Sequence, residues 1–235
     1  MSDAAGGAAV PRILHADAAV VVIDKPAGMP SVPARTAHDP PAAAAVLADR
    51  FGAVEAVHRL DRDTSGILVL ARTREARRLL GAAFESRTVD KEYVAVVEGV
   101  PSRAWGTLHA PLAPDPGRPP RQRVDPTAGR AAATRWRVLA VAADRRRALL
   151  ALEPLTGRSH QLRVHLAWLG LPIVGDPLYG RPLPAGRMLL HAARLAVAHP
   201  ADGRRVAWVA PACFAEAADG WEAFTAPAWR RAPND

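Results

Sequence analysis

The hydrophobic and polar positions of this chain fall into short, clearly bounded blocks. Ala18–Asp24 and Ile67–Ala71 are continuous apolar runs and read as buried strands. Ile13 begins a further strand-like piece around His15-Ala16-Asp17. Lys91–Gly99 alternates with the period of a strand, Thr107–Ala110 is a short one, and Ala132–Ala142 with Ala148–Leu155 predicts a hairpin around Asp144–Arg147. Met188–Val197 and Arg204–Val209 supply two more strands.

Helical spacing appears over Ala42–Arg50, with Pro41 suited to its first turn. A second helix runs from Thr73, the predicted N-cap, to about Arg87, with Leu79, Leu80, Ala83 and Phe84 on its apolar face. A third follows Ser159, again read as the cap, as far as Leu169, and 214–225 predicts a short fourth. Pro26 and Gly28 mark a turn, 29–41 and 172–180 are loops, and 111–131 carries six prolines and reads as a projecting basic arm. Residues 1–11 and 226–235 are predicted tails around one domain over 12–225. The alternation of antiparallel strands with a few helices points to an α+β fold, a mixed and mainly antiparallel sheet with flanking helices.

At 235 residues with 49% apolar and 23% charged positions, the chain has the composition of a soluble globular protein. No run approaches the ~18 apolar residues of a membrane span. The N-terminus lacks a basic, apolar leader, and Cys213 is the single cysteine, so a reducing cytoplasm is the expected compartment. The net charge of +8 suits a polyanionic partner, nucleic acid first, although a solvated basic surface would give the same total. Of the 31 basic residues only Lys25 and Lys91 are lysine. There are two tyrosines, Tyr93 and Tyr179, and two glutamines, Gln122 and Gln161. In a chain so depleted, the survivors mark positions where a substitute would not serve, because an ammonium and a guanidinium differ as point charge and planar fork.

The candidate chemistry centres on His58-Arg59-Leu60-Asp61-Arg62-Asp63-Thr64-Ser65-Gly66, a polar loop feeding a buried strand. Cations on either side of Asp61 favour its ionised form, which can act as base, nucleophile or counterion, or simply form a buried ion pair. Asp63 and Ser65 read as turn residues. In Leu155–Ala167, Arg163 lies among apolar neighbours and needs a carboxylate, for which Asp61 is the expected partner. His160 and His165 are five apart and point different ways on a helix, which argues against a metal site there. Lys91 and Tyr93 share one face of their strand, where a phenol beside a cation can stack on a base or move a proton.

Together these segments resemble the RluA family of pseudouridine synthases. The match rests on His58-Arg59-Leu60-Asp61 with Thr64-Ser65-Gly66, and on Gly157-Arg158-Ser159-His160-Gln161-Leu162-Arg163-Val164-His165. It is supported by Asp24-Lys25-Pro26-x-Gly28, Lys91-x-Tyr93, Pro172-Ile173-x-Gly175-Asp176-x-x-Tyr179 and Leu190-His191-Ala192, in the family's order over roughly residues 12–210. Ser31–Arg35 and Arg118–Val124 resemble loops of the short subgroup that lacks an S4-type RNA-binding domain, whereas Arg62-Asp63 and Asp90–Tyr93 are closer to the wider family.

The resemblance implies a pseudouridine synthase catalytic fold with a central RNA-binding cleft. It further implies isomerisation of uridine to pseudouridine in a tRNA anticodon stem-loop, a large-subunit rRNA loop, or both, without cofactor or metal; nothing in the sequence suggests an obligate partner, so a monomer is expected. Asp61 would be the nucleophile or support glycosidic cleavage, Tyr93 would stack on the flipped base, Arg163 would pair with Asp61, and Leu162 would keep the pocket apolar. Arg59 would enter the stack vacated by the uridine. His58, Lys91, Arg158, His160 and Gln161 would line the RNA-binding surface, with Arg118, Arg121 and Arg123 on phosphates. A non-catalytic RNA-binding module and a nucleoside or glycoside hydrolase using Asp61 with Asp63 are the rival readings.

Overall fold

A computed structural model describes residues 10–33, 40–183, 186–212 and 214. The predicted tails and the predicted helix at 214–225 lie almost wholly outside these residues. The chain divides into two compact units, 1–88 with 197–206, and 89–196 with 207–235.

In the first unit, β1 (Arg12–Ala16), β2 (Val20–Lys25) and β4 (Ser65–Ala71) lie side by side in that order, and the two-residue β3 (Glu55–Ala56) adds to β4. The β1–β2, β2–β4 and β3–β4 ladders are antiparallel. Every residue of β4 is buried, as its unbroken apolar run requires. Helix α1 (Ala43–Phe51) covers one side of this sheet, with Ala43 and Leu47 packed on Val21, Ile23, Leu68 and Leu70. Each such buried aliphatic side chain contributes about 1.5–3 kcal/mol, so Leu47→Ala alone would cost about 2–5 kcal/mol. The helix starts one residue later than the sequence pattern suggests: Ala42 is the cap, and Pro41 lies before it. Helix α2 (Arg74–Glu85) packs against β4 through a buried Ala76 and Leu80. Its cap is Thr73, as predicted, whose hydroxyl accepts from the Ala76 N–H at 3.1 Å.

The second unit holds β5 (Asp90–Glu98), β6 (Trp105–His109), β9 (Ala133–Val141), β10 (Arg147–Pro154) and β11 (Leu190–Ala198), ordered β11-β5-β10-β9-β6, with β12 (Arg205–Val209) on β11. The last two residues of β11, the turn after it and the start of β12 belong to the first unit. The β11–β5, β5–β10, β10–β9 and β9–β6 ladders are antiparallel. Strand alternation sends Ala95, Val97, Leu150, Leu152 and Leu190 to one core, and Val94, Val96, Leu149 and Leu189 to another. Helix α3 (Gln161–Trp168) closes the first of these cores with Leu162 and Leu166, and Ala212 and Phe214 close the second. The proline-rich stretch is ordered into a small hairpin of β7 (Leu112–Pro114) and β8 (Gln122–Val124). The α+β class read from the sequence is the observed one. Among the described residues no helix is long and apolar enough to cross a membrane.

Candidate active site

Of the candidate catalytic and RNA-binding residues, His58, Arg59 and Asp61 lie in the first unit and the others in the second. The Asp61 loop is pinned from below at three points. Lys25, at the end of β2, is fully buried, and its ammonium donates to the carbonyl oxygens of Pro26 at 3.0 Å, Met29 at 2.8 Å and Arg62 at 3.0 Å. The Arg62 carbonyl also accepts from the Gly28 N–H at 2.9 Å, in a turn where Gly28 holds φ +86°. Ser31 forms a reciprocal pair with Leu60: its hydroxyl donates to the Leu60 carbonyl at 2.9 Å and accepts the Leu60 N–H at 3.0 Å. A turn bond from the Thr64 N–H to the Asp61 carbonyl, 3.1 Å, closes the loop. Asp61 is thus half-buried on a fixed backbone, with Arg59 exposed beside it.

Charge is balanced in the same place. Burial drives the Lys25 pKa down to about 8, and the carboxylates of Asp63 and Asp61 act in the opposite direction, favouring its ammonium form. Lys25 is conspicuous in the sequence as one of two lysines and within Asp24-Lys25-Pro26-x-Gly28; its role beneath the loop required the fold. His58 has a structural task. Its Nε2 accepts the Val69 N–H at 3.1 Å, and its ring stacks on Phe84 with centroids 4.6 Å apart.

In the second unit, α3 begins differently from the sequence reading. Its cap is His160, in the left-handed region at φ 54°, and not Ser159. No side chain caps the helix; the Gln161 side chain instead braces the segment before it, where its Oε1 accepts from the Arg158 N–H at 3.0 Å and the Thr156 hydroxyl at 2.7 Å. Its Nε2 donates to the Ala133 carbonyl at 2.9 Å and to the Thr134 hydroxyl at 3.0 Å. Gln161, expected at the RNA surface, is therefore turned inward with its amide spent on the scaffold. His165 continues the network. Nε2–H donates to the Ala110 carbonyl at 2.9 Å, which leaves Nδ1 to accept from Thr134 at 2.9 Å. Burial lowers the His165 pKa and keeps the ring neutral.

Arg163 is buried, as its apolar neighbours predict. Its guanidinium grips Asp176 with two bonds, Nε to Oδ2 at 2.8 Å and Nη2 to Oδ1 at 2.7 Å. Asp176 also accepts from the Leu178 and Tyr179 N–H groups at 2.8 and 3.1 Å. Burial raises the Asp176 pKa, but Arg163 and these two donors outweigh it and hold the carboxyl below its ordinary value. The preceding Gly175 is obligatory: at φ +75° a Cβ would come 2.3 Å from the Arg187 carbonyl oxygen. The expected pairing of Arg163 with Asp61 would join the two units and stands as a proposal, with Asp176 as a carboxylate that the sequence did not single out for this arginine.

Tyr179 links this centre to the basic arm. Its hydroxyl accepts the Gln122 N–H at 2.7 Å and shares a hydrogen bond with His160 Nδ1 at 2.8 Å. The guanidinium carbons of Arg121 and Arg163 stand 5.0 and 5.2 Å from the ring centroid. Arg118 and Arg123 are exposed and paired within the arm, to Asp115 at 3.0 Å and to Asp125 at 2.9 Å. Such surface pairs are worth about 0–1 kcal/mol and yield readily to a phosphate. Arg158 donates from Nε to the Ala131 carbonyl at 3.0 Å. On β5, Lys91 and Tyr93 are both partly exposed, and Tyr93 packs on the core that contains Leu162, 7% exposed.

The family model for RNA pseudouridylate synthase matches residues 19–168. The chain is 42% identical over 205 residues to the dual-specificity RNA pseudouridine synthase RluA of Escherichia coli K12, covering 86% of this chain and 93% of that one. It is 37% identical to the protein of the same name from Haemophilus influenzae, with the same coverage. Among solved structures, human RNA pseudouridylate synthase domain containing 1 superposes with a TM-score of 0.75 at 28% identity, over 93% of this chain and 91% of that one.

Proposed function

The chain belongs to the RNA pseudouridylate synthase family, and from that premise we infer that it is an isomerase converting uridine to pseudouridine in RNA. The rival readings as a bare RNA-binding module or a hydrolase give way to this one. In the reaction the N1–C1′ bond of the uridine breaks, the uracil turns, and a C5–C1′ bond forms. C5 loses its proton and N1 gains one, so atoms balance without an external reactant.

Asp61 is the proposed nucleophile. The observation that carries this assignment is the clamp beneath it: a buried ammonium and a buried serine fix the Leu60–Arg62 backbone from opposite ends. A carboxylate so positioned avoids the orientational entropy that a mobile side chain would lose at the transition state. Tyr93 is the proposed stacking surface for the flipped uracil, with Leu162 keeping water from the freed base. Arg163 is proposed to act with Asp61 as well as with Asp176. Arg59 takes the uridine's place in the stack. Lys91, Arg158, His160 and the arm arginines Arg118, Arg121 and Arg123 hold the RNA backbone. The substrates proposed are a tRNA anticodon stem-loop and a large-subunit rRNA loop, in line with the dual specificity that the bacterial relatives' names state.

Asp61→Asn tests the assignment. On RNA labelled with tritium at uridine C5, the wild type releases tritium and leaves the strand intact. The variant should bind the RNA as tightly and release none; full release by the variant removes Asp61 from the mechanism. Free uracil in the wild-type reaction would restore the hydrolase reading.

A further inference from the structure

A cluster outside the Asp61 loop has no part in this chemistry. His15 stands at the end of β1, where the ladder to β2 is bulged. Asp17 follows in the β1–β2 turn, and its Oδ1 is consumed there by the Ala19 and Val20 N–H groups at 2.7 and 2.8 Å. That leaves Oδ2 directed at two imidazoles: it accepts a hydrogen bond from His15 Nε2 at 2.8 Å and stands 3.0 Å from His199 Nε2. His199 belongs to the same unit, in the turn between β11 and β12, where its carbonyl accepts from the Gly203 N–H. The two rings meet edge to face, 6.2 Å between centroids.

The geometry at His199 is not that of an ordinary hydrogen bond. Its side chain is 11% exposed, its Nε2 is sealed from solvent, and that atom makes no hydrogen bond among the described residues despite its closeness to Asp17. A short approach with poor angular alignment suits two ligand atoms sharing an ion better than a donor facing an acceptor. The three ligand atoms all lie within 4.8 Å of one another. Separations of 2.8 and 3.0 Å subtend about 85–90° at an ion ~2.1 Å from each atom, the angle of adjacent positions in an octahedral or five-coordinate shell. The other side of the His199 ring faces the Ala201 N–H at 3.4 Å and the Asp202 carboxylate at 3.9 Å. Ligation through Nε2 places the ring proton on Nδ1, for which the Asp202 carboxylate is the nearby acceptor in place of the weak Ala201 contact.

We propose that His15, Asp17 and His199 form a binding site for a divalent transition-metal ion of the zinc and nickel class, with water completing the shell. Two imidazoles and one carboxylate select such ions over magnesium and calcium, which take oxygen ligands. The bound ion ties the β1–β2 turn to the turn at 199–204 and acts as a staple of the first unit.

The test uses the full-length chain, stripped with a chelator and titrated with zinc chloride. One equivalent binds saturably, and the melting temperature rises by about 5 °C once zinc is well above its dissociation constant. Magnesium chloride produces neither effect. His15→Gln and His199→Gln each weaken zinc binding by about tenfold or more while pseudouridine formation without added metal is unchanged. Zinc-edge X-ray absorption on the wild type, which needs no variant to fold, shows nitrogen and oxygen at ~2.0–2.1 Å and no sulfur at ~2.3 Å. The absence of a saturable single site, a sulfur shell implicating Cys213, or wild-type affinity in both glutamine variants would each overturn the proposal.

Discussion

Arg163 and Asp176 form a two-bond ion pair with 3% and 0% of their side chains exposed. The planar fork matches the carboxylate, and lysine could make only one of the two bonds. Asp176→Asn removes the two-bond carboxylate from a buried guanidinium and should cost about 3–5 kcal/mol, read from urea unfolding at pH 7. The pH dependence follows from the direction of the shift. A carboxyl held below its unfolded value of 3.8 stabilises the fold fully above that value. The contribution disappears as pH falls through the lower folded value. The stability gap between wild type and Asp176→Asn should therefore be constant from pH 5 to 7 and narrow below about pH 4.

Lys25 carries a different pH signature. Its folded pKa near 8 lies below the free value of 10.5, so between these pH values the unfolded chain holds a proton that the folded one has lost. Stability from this group must rise across that window. Activity should move the other way, because above pH 8 the carboxylates of Asp61 and Asp63 lose the cation beneath their loop. A falling kcat with an apparent pKa near 8, alongside unchanged or rising thermal stability, is the expected pair of observations. Lys25→Met strands three carbonyl oxygens, should destabilise by about 2 kcal/mol or more, and should lower kcat by about a hundredfold through a misplaced Asp61. Its residual activity should lack the alkaline limb.

The sequence exposed these two centres unequally, and the reason is physical. Strand periodicity is local, so β2, β4, β5, β9, β10 and β11 were legible from the apolar pattern, and Thr73 was legible as a cap because its hydroxyl serves the next turn. The start of α3 differs from the sequence reading because its cap, His160, holds a left-handed backbone and uses no side-chain cap, so Ser159 is the only residue there that local rules would choose. The β7–β8 hairpin was hidden by prolines that its short ladder tolerates at its edge. Arg163 was legible as a buried cation, but its partner Asp176, thirteen residues on, sits in a loop whose fold no local rule predicts. Lys25 and Tyr179 stood out by rarity, and only their contacts show what they hold.

The Tyr179 hydroxyl ties the arm to α3, bonding the Gln122 N–H on one side and His160 Nδ1 on the other. Tyr179→Phe keeps the ring against Arg121 and Arg163 and strands the Gln122 donor, at a cost of about 1–3 kcal/mol. The effect should be local. KM for a structured RNA rises as the 115–124 segment loosens, while kcat at saturation changes little. A variant whose kcat falls and whose KM is unchanged would move Tyr179 from RNA positioning to the chemical step.

Arg59 separates base flipping from bond chemistry. It is exposed and held two residues from Asp61 on a backbone fixed by Ser31 and Lys25. If its guanidinium fills the vacated stack, Arg59→Ala removes compensation for unstacking worth a few kcal/mol, and kcat/KM on a stem-loop should fall by about a hundredfold. On a short unstructured RNA with the same uridine there is little stack to replace, so the same variant should lose less than about tenfold. Equal losses on both substrates would mean that Arg59 acts on the uridine or a phosphate directly. The ratio of the two losses, measured by tritium release, therefore reports the wedge and nothing else in the site.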